Sequence, residues 1–380
     1  MIAVVLLFVA VLPGASAATS AQKPTNVILM IGDGMGFNHL QLTKQERGVR
    51  LFMEDECDVR GWSQTRSHNK VVTDSAAGGT ALAAGVRTNN GYVAVYHYDP
   101  LGWFTVPQTL CEAAKLSGRR SGVITSDRID GATPASFTTH SSNRGNSADI
   151  TRQQAKSDFD LVWGGVAETY SASLAEKNGF VTIKTAKEME ALQPGSKSIA
   201  QFDPNAMWRT KTPEGSESPT LSQMTAKAIS LLDNDAGFFL MVEGANIDKW
   251  SHTSNEADNY ANKVANAAEA VIEFDNAIRT AVEFAREDGN TLVVITADHE
   301  TGGIVEKDGI YTYTTSSHTG VDVPLIVFGS KTFIENDEHI ENRQVAQRIS
   351  AYLGADCALP KAESGKIFWL LDEIRDWFRK

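Results

Sequence analysis

The sequence predicts an α/β fold: a three-layer sandwich with a central, mostly parallel sheet flanked by helices, plus an inserted cap region. Three observations carry this. Short apolar runs alternate along the chain with stretches of helical periodicity, the signature of βαβ units. Several of those runs are wholly apolar and read as buried strands. The chain has 380 residues, 42% of them hydrophobic, enough to bury a sizeable core.

The elements follow in order. Met1 to Leu12 is almost wholly apolar and is followed by Ala15-Ser16-Ala17, a small-x-small pattern suited to signal peptidase. Residues 1–17 therefore read as a signal peptide and the chain as exported, periplasmic or secreted. That run is too short to span a bilayer as a mature helix, and no Lys or Arg precedes it. Residues 18–380 then form one domain. Asn26–Ile31, Gly122–Thr125, Phe238–Val242, Thr291–Ile295 and Pro324–Phe328 read as strands, and Pro107–Leu116 as a helix. Asn255–Glu287 reads as a long helix with an apolar stripe of Ala261, Val264, Ala265, Ala268, Val271, Ile272, Phe274 and Ile278. Residues 160–220 are less regular, with Gly164-Gly165, a helix-like Ala186–Leu192 and a turn-rich Thr212–Ser216, and read as an insertion or cap over the shared sheet. Lys366–Arg379 is amphipathic, a docked surface helix or, alternatively, a dimer contact.

The formal net charge is −12 and there is no long Lys/Arg run. This argues against binding nucleic acid through phosphate neutralisation and against attraction to anionic lipid. An acidic protein that handles phosphate needs local positive charge, and bound metal ions are one source. Cys57, Cys111 and Cys357 show no CxxC spacing, which argues against a zinc ribbon or a redox motif. One disulfide plus a free thiol, or buried thiols, both stay open.

The strand ends hold the chemistry. In open parallel sheets ligands sit beyond the carboxyl ends of strands. Asp33 closes the first apolar run and Glu243 the run Phe239–Val242. Asp248 and His252, spaced i, i+4, share one face of a helical turn. Asp298 and His299 end the run Leu292–Ala297, before the turn-forming Gly302-Gly303, and His318 lies in a polar stretch. Mixed carboxylate and imidazole donors without thiolate suit zinc in an open, catalytic site. Ser75 falls in the first turn of a helix rich in small residues, where amides favour an anion; either Asp74 or Ser75 serves as its cap. Arg144 carries a guanidinium able to fork onto phosphate.

Six segments in order resemble the alkaline phosphatases: Asn26–Gly36, Val72–Ala77, Ala132–Ala135, Val242–Asp248, Thr296–Gly303 and Ser317–Gly320. The resemblance implies the family's fold and a hydrolysis of small-molecule phosphate monoesters in two in-line displacements. Ser75 takes the phosphoryl group and water then releases it, while Arg144 holds the equatorial oxygens and Asp74 orients Arg144. It implies two Zn²⁺ and one Mg²⁺: Asp248, His252 and His318 for the first zinc, Asp33, Asp298 and His299 for the second, and Asp33, Thr133 and Glu243 for magnesium. It also implies a homodimer, while the acidic charge already argues against a sequence-specific nucleic-acid partner.

Two positions stand apart from the pattern. Gly131 stands where relatives often carry Asp or His, which implies weaker or more exchangeable magnesium; Asp130 is one residue away. Lys249 matches a position that in some relatives contacts phosphate through water, and Trp250 beside it walls the pocket or packs. A phosphodiesterase or phosphonate hydrolase of the same superfamily usually has Thr as nucleophile and lacks the third-metal set. A Ser-His-Asp hydrolase is disfavoured because Ser75 is not in Gly-x-Ser-x-Gly.

Overall fold

The computed structural model describes residues 25–97, 104–203, 216–357 and 359. The expected signal peptide, the Lys366–Arg379 segment and most of the Thr212–Ser216 turn lie outside them.

Among the described residues ten strands build one sheet: β1 (Asn26–Gly32), β2 (Val59–Gln64), β3 (Arg120–Arg128), β4 (Leu161–Gly165), β5 (Val181–Ile183), β6 (Ser198–Ala200), β7 (Phe238–Gly244), β8 (Thr291–Thr296), β9 (Val323–Phe328) and β10 (Glu338–Glu341). Their order is β10-β2-β9-β8-β1-β7-β3-β4-β6-β5. β9 is antiparallel to both neighbours, and every other pairing is parallel. The central β1, β7 and β8 are buried at every position, which is why they are apolar without alternation.

The principal helices are α1 (Phe37–Arg47), α2 (Ser75–Ala84), α3 (Leu110–Leu116), α4 (Ala132–Thr138), α5 (Leu221–Leu232), α6 (Asn246–Ser251), α7 (Ala257–Asp288) and α8 (Asn342–Leu353). The alternation of side chains along a strand sorts them into two layers. Ile28 and Met30 of β1 join a core with Leu40 of α1, Met224 of α5, Ile247 of α6 and Phe274 of α7. Val27, Leu29 and Ile31 join the opposite core with Leu82 of α2, Leu110 of α3, Phe137 of α4 and Ile349 of α8. This is the three-layer sandwich.

Local signals set the helix ends. α3 starts at Leu110, three residues later than Pro107, because Thr109 and Glu112 form a capping box. α7 ends at Gly289, whose φ of 67° is left-handed. Its inward face is Ala267, Ala270, Val271, Phe274, Ala277, Ile278 and Ala281, whereas Ala261 of the expected stripe is exposed. The stretch from 160, expected as a cap over the sheet, instead continues the sheet: β4, β6 and β5 extend one edge, with Trp163 fully buried. Helix α6 and the loops after β1, β3, β7 and β8 gather at the carboxyl ends of the central strands.

Candidate active site

Strand register brings the acidic residues to one level. Ile31 of β1 pairs with Glu243 of β7 and with Thr296 of β8, and Thr125 of β3 pairs with Glu243. Asp33 and Asp298 each lie just past those strand ends, so carboxylates from adjacent strands meet there. Gly34, at φ 74°, makes the turn after Asp33; a Cβ there would come within 2.9 Å of Asp248 Cβ and of Thr301 Oγ1. Its amide donates to Asp298 Oδ1 at 3.2 Å, and the His299 amide donates to the same oxygen at 2.9 Å.

Two imidazoles then define a cation-shaped gap. His252 Nδ1 lies 2.7 Å from the Ser316 carbonyl and His318 Nδ1 lies 3.0 Å from the Thr73 carbonyl. A carbonyl only accepts, so both rings carry their proton on Nδ1. With both rings neutral, the two Nε2 atoms are bare lone pairs, yet they sit 3.0 Å apart. Asp248 Oδ1 converges on them, at 3.2 Å from His252 Nε2 and 3.5 Å from His318 Nε2. Two lone pairs and a carboxylate oxygen in mutual contact repel unless a cation lies between them, and carbonyls fixing the far ring nitrogens are the usual support of metal-binding histidines.

A second gap adjoins the first. His299 is fully buried, stacked on His318 with ring centroids 3.6 Å apart. Its Nε2 lies 3.5 Å from Asp33 Oδ1, 3.3 Å from Asp298 Oδ2 and 3.2 Å from Ser75 Oγ. Asp33 Oδ1 and Asp298 Oδ2 are buried and make no hydrogen bond. Buried, unbonded carboxylate oxygens beside a neutral imidazole are costly, and they fit a second cation. Asp248 belongs to both groups of donors, with His252 and His318 and with Asp33 and His299.

The charge states of Asp33, Asp298, Glu243 and His299 agree. Burial, then Asp298, Asp248 and Glu243, push Asp33 well above the usual carboxylate range. Burial and then Asp248 push Asp298 up to about 7. Burial and then Asp127 push Glu243 up to about 8. Burial, then His318, holds His299 well below its ordinary value. Like charges crowded out of water do this, and a bound cation reverses it.

Glu243 takes a short hydrogen bond from Thr125 Oγ1. Thr133, in the first turn of α4, is 1% exposed, and its Oγ1 has no partner. These are oxygen donors only, as a hard cation prefers.

Ser75 opens α2. Asp74 is its N-cap, accepting from the Ala77 amide at 3.0 Å through Oδ1. Asp74 Oδ2 accepts from the Gly91 amide at 2.9 Å and pairs with Arg144 Nη1 at 3.1 Å. Arg144 is held at its backbone as well, its amide donating to the Gly91 carbonyl at 2.9 Å, and its head stays partly exposed. A guanidinium fixed at one nitrogen and open to solvent at the others is placed to receive an anion.

Other residues resolve plainly. Asp130 is turned away, bonded to Ser147 Oγ, the Glu168 amide and Arg128. Trp250 packs against the core. His39 bonds the Gly36 amide and Ser251. The three thiols are free, and burial pushes Cys111 up to about 12. Sequence reasoning missed Thr301, whose Oγ1 bonds Asp248 and lies 3.2 Å from His299 Nδ1. It also missed Asp127, which pairs with Lys249 at 2.8 Å. Thr301 lay inside a recognised segment; Asp127 carried no sequence signal.

Residues 24–162 and 172–354 match the alkaline phosphatase family. This chain belongs to the alkaline phosphatase family. The family hydrolyses phosphate monoesters. The chain is 31% identical over 347 residues to alkaline phosphatase H of Pseudomonas aeruginosa, covering 74% of this chain and 70% of that protein. It is 29% identical over 400 residues to the alkaline phosphatase of Escherichia coli, covering 87% and 82%. Among solved structures, the alkaline phosphatase of the Antarctic bacterium TAB5 superposes with a TM-score of 0.73 at 28% identity, covering 87% of this chain and 99% of that one. No helix among the described residues is long and apolar enough to cross a membrane.

Proposed function

We propose that this alkaline phosphatase family member hydrolyses monoesters through a phosphoserine on Ser75, at a site that holds two zinc ions and one magnesium ion. The observation that carries the reading is the convergence of the Nε2 atoms of His252 and His318 on Asp248 Oδ1, next to the Ser75–His299 pair. Asp248, His252 and His318 would hold one zinc, and Asp33, Asp298 and His299 the other, with Asp248 close enough to share. Asp33, Thr133 and Glu243 would hold magnesium. Support for magnesium comes from a variant of the TAB5 enzyme, solved with Mg bound in its M3 site. When bound, the zinc ions supply Lewis-acid charge at the attacking and leaving oxygens.

The chain's own groups do the rest. Arg144, braced by Asp74, forks onto the phosphoryl oxygens and sets the phosphorus in line with Ser75 Oγ. Ser75 Oγ bonds to phosphorus as the ester P–O bond breaks, and the alcohol departs. Water then bonds to phosphorus, the Ser75 Oγ–P bond breaks, and inorganic phosphate leaves. The amides at the N-terminus of α2 favour the anion throughout. The reading includes export through the apolar leader and assembly as a homodimer.

The test is to trap the intermediate. Acid quench of the enzyme with labelled monoester, followed by peptide mapping, is expected to place one phosphate on Ser75. Label on another residue, or none under conditions of turnover, would overturn the assignment.

A further inference from the structure

We propose that Asp127 is a positioning residue of this site: its carboxylate fills the place that a side chain at Gly131 would occupy, anchoring Lys249 and the magnesium side of the pocket. This rests on the proposed magnesium role of Asp33, Thr133 and Glu243.

The backbone is shaped to deliver Asp127. β3 pairs with β4 in register at Gly122, Val123 and Ile124, then the register shifts before Arg128 resumes pairing with Gly165. Such irregularities re-aim side chains next to sites. The irregularity needs room on the neighbouring strand, and Gly164 supplies it, since a Cβ there would come within 2.7 Å of the Asp127 carbonyl. The Asp127 amide is fixed by Thr125 Oγ1 at 2.7 Å, the same hydroxyl that bonds Glu243.

The side chain then reaches across. Asp127 Oδ1 lies 2.8 Å from Lys249 Nζ, and both side chains are largely buried. Lys249 follows Asp248, so the pair ties the end of β3 to helix α6. The other oxygen covers Gly131: a Cβ built on Gly131 would lie 2.4 Å from Asp127 Oδ2 and 3.0 Å from the Arg128 carbonyl. Gly131 is the N-cap of α4, two residues before the unpartnered Thr133 hydroxyl. The absence of a side chain at 131 is therefore the complement of a carboxylate arriving from 127. The charge that chain position 131 lacks is present in the space beside it, carried by Asp127. Magnesium binding is then not weakened by the glycine.

The test is a relocation. Magnesium binding to the zinc-loaded protein is measured by isothermal titration for wild type, D127A, G131D and the double variant D127A/G131D. Removing a carboxylate that supports a metal site weakens binding by about tenfold or more, and D127A is expected to do so. G131D alone is expected to weaken it too, because two carboxylates compete for one space. The double variant is expected to return to within about threefold of wild type, well inside that loss. The inhibition constant for inorganic phosphate, which reads Lys249, is expected to follow the same order. D127N, which keeps the shape and loses the charge, serves if D127A or G131D does not fold.

Unchanged magnesium affinity in D127A and D127N overturns the proposal, and so does a double variant as weak as D127A. A wild type that hydrolyses monoesters with zinc yet binds no magnesium overturns it, together with the proposed magnesium site, while leaving monoester hydrolysis through Ser75 standing. Failure of the proposed function itself would read as no zinc-dependent turnover in wild type, whatever the titrations give.

Discussion

Asp74 uses its two oxygens for separate tasks, one capping α2 and the other holding Gly91 and Arg144. The tasks separate by substitution. Asp74→Asn keeps a side-chain oxygen for the cap and loses the charge, so denaturation midpoints are expected to stay near wild type while KM for monoester rises. Asp74→Ala is expected to show the same KM rise and a further loss of about 1 kcal/mol for the missing cap. Equal stability of the two variants, or an unchanged KM in Asp74→Asn, would contradict this. The residues that the sequence yielded are those whose chemistry is written in short segments: Ser75 at a helix start, Asp248 and His252 one turn apart, Asp298 beside His299. Thr301 and Asp127 were not legible. Their partners lie 53 and 122 positions away, as the contacts Thr301–Asp248 and Asp127–Lys249 show, and only the folded backbone brings them together.

At the scale of elements, helix α2 must approach the end of β8 closely to set Ser75 beside His299. Gly78 permits it: a Cβ there would lie 2.8 Å from the Asp298 carbonyl and 3.0 Å from Asp298 Cβ. Alanine normally favours a helix over glycine by about 1 kcal/mol. Here Gly78→Ala is expected to destabilise the protein by about 1–3 kcal/mol through overpacking and to weaken zinc binding as Asp298 shifts. Stabilisation by alanine would show that the contact is loose.

A second element contact carries a pH signature. His140, following α4, pairs with Glu112 of the α3 capping box at 2.9 Å and with the Ala94 carbonyl. Burial opposes its charge, but Glu112 prevails and raises the imidazole above its ordinary value of 6.5. A raised imidazole contributes stability that is full below 6.5 and is lost as pH rises through the raised value. Against burial, His140 and then the Thr109 amide and hydroxyl lower Glu112, so its contribution is present above its ordinary carboxylate value and is lost in acid. The stability difference between wild type and His140→Gln is therefore expected to be largest between these limits, about 1 kcal/mol, and to shrink in alkali. A difference independent of pH would contradict it. Among the strands, the central ones were legible because burial on both faces leaves them wholly apolar. β2 was not, since it alternates buried and exposed positions and carries Arg60, Gly61 and Ser63. β5 and β6 are three residues each, too short to stand out, which is why that region read as a cap.

For the molecule as a whole, the sheet converts sequence order into convergence: strands far apart in the chain end at one level, and their carboxylates crowd together. Asp33, Asp298 and Glu243 are 7%, 0% and 1% exposed. Cations that neutralise them bind the folded chain alone, so chelation is expected to lower the thermal midpoint. At free metal one hundred times Kd each site contributes about 2.7 kcal/mol. An unchanged midpoint after complete removal of metal would mean that the carboxylates are satisfied without it.

The central claim is that Ser75, set between these donors, turns over monoesters. The most direct measurement is p-nitrophenyl phosphate hydrolysis at alkaline pH by chelated protein resupplied with zinc and magnesium, beside Ser75→Ala and with bis-p-nitrophenyl phosphate as the rival substrate. Metal-dependent monoester turnover is expected to exceed diester turnover and to fall by about three orders of magnitude or more in Ser75→Ala. Diester preference, or turnover indifferent to Ser75, would contradict it.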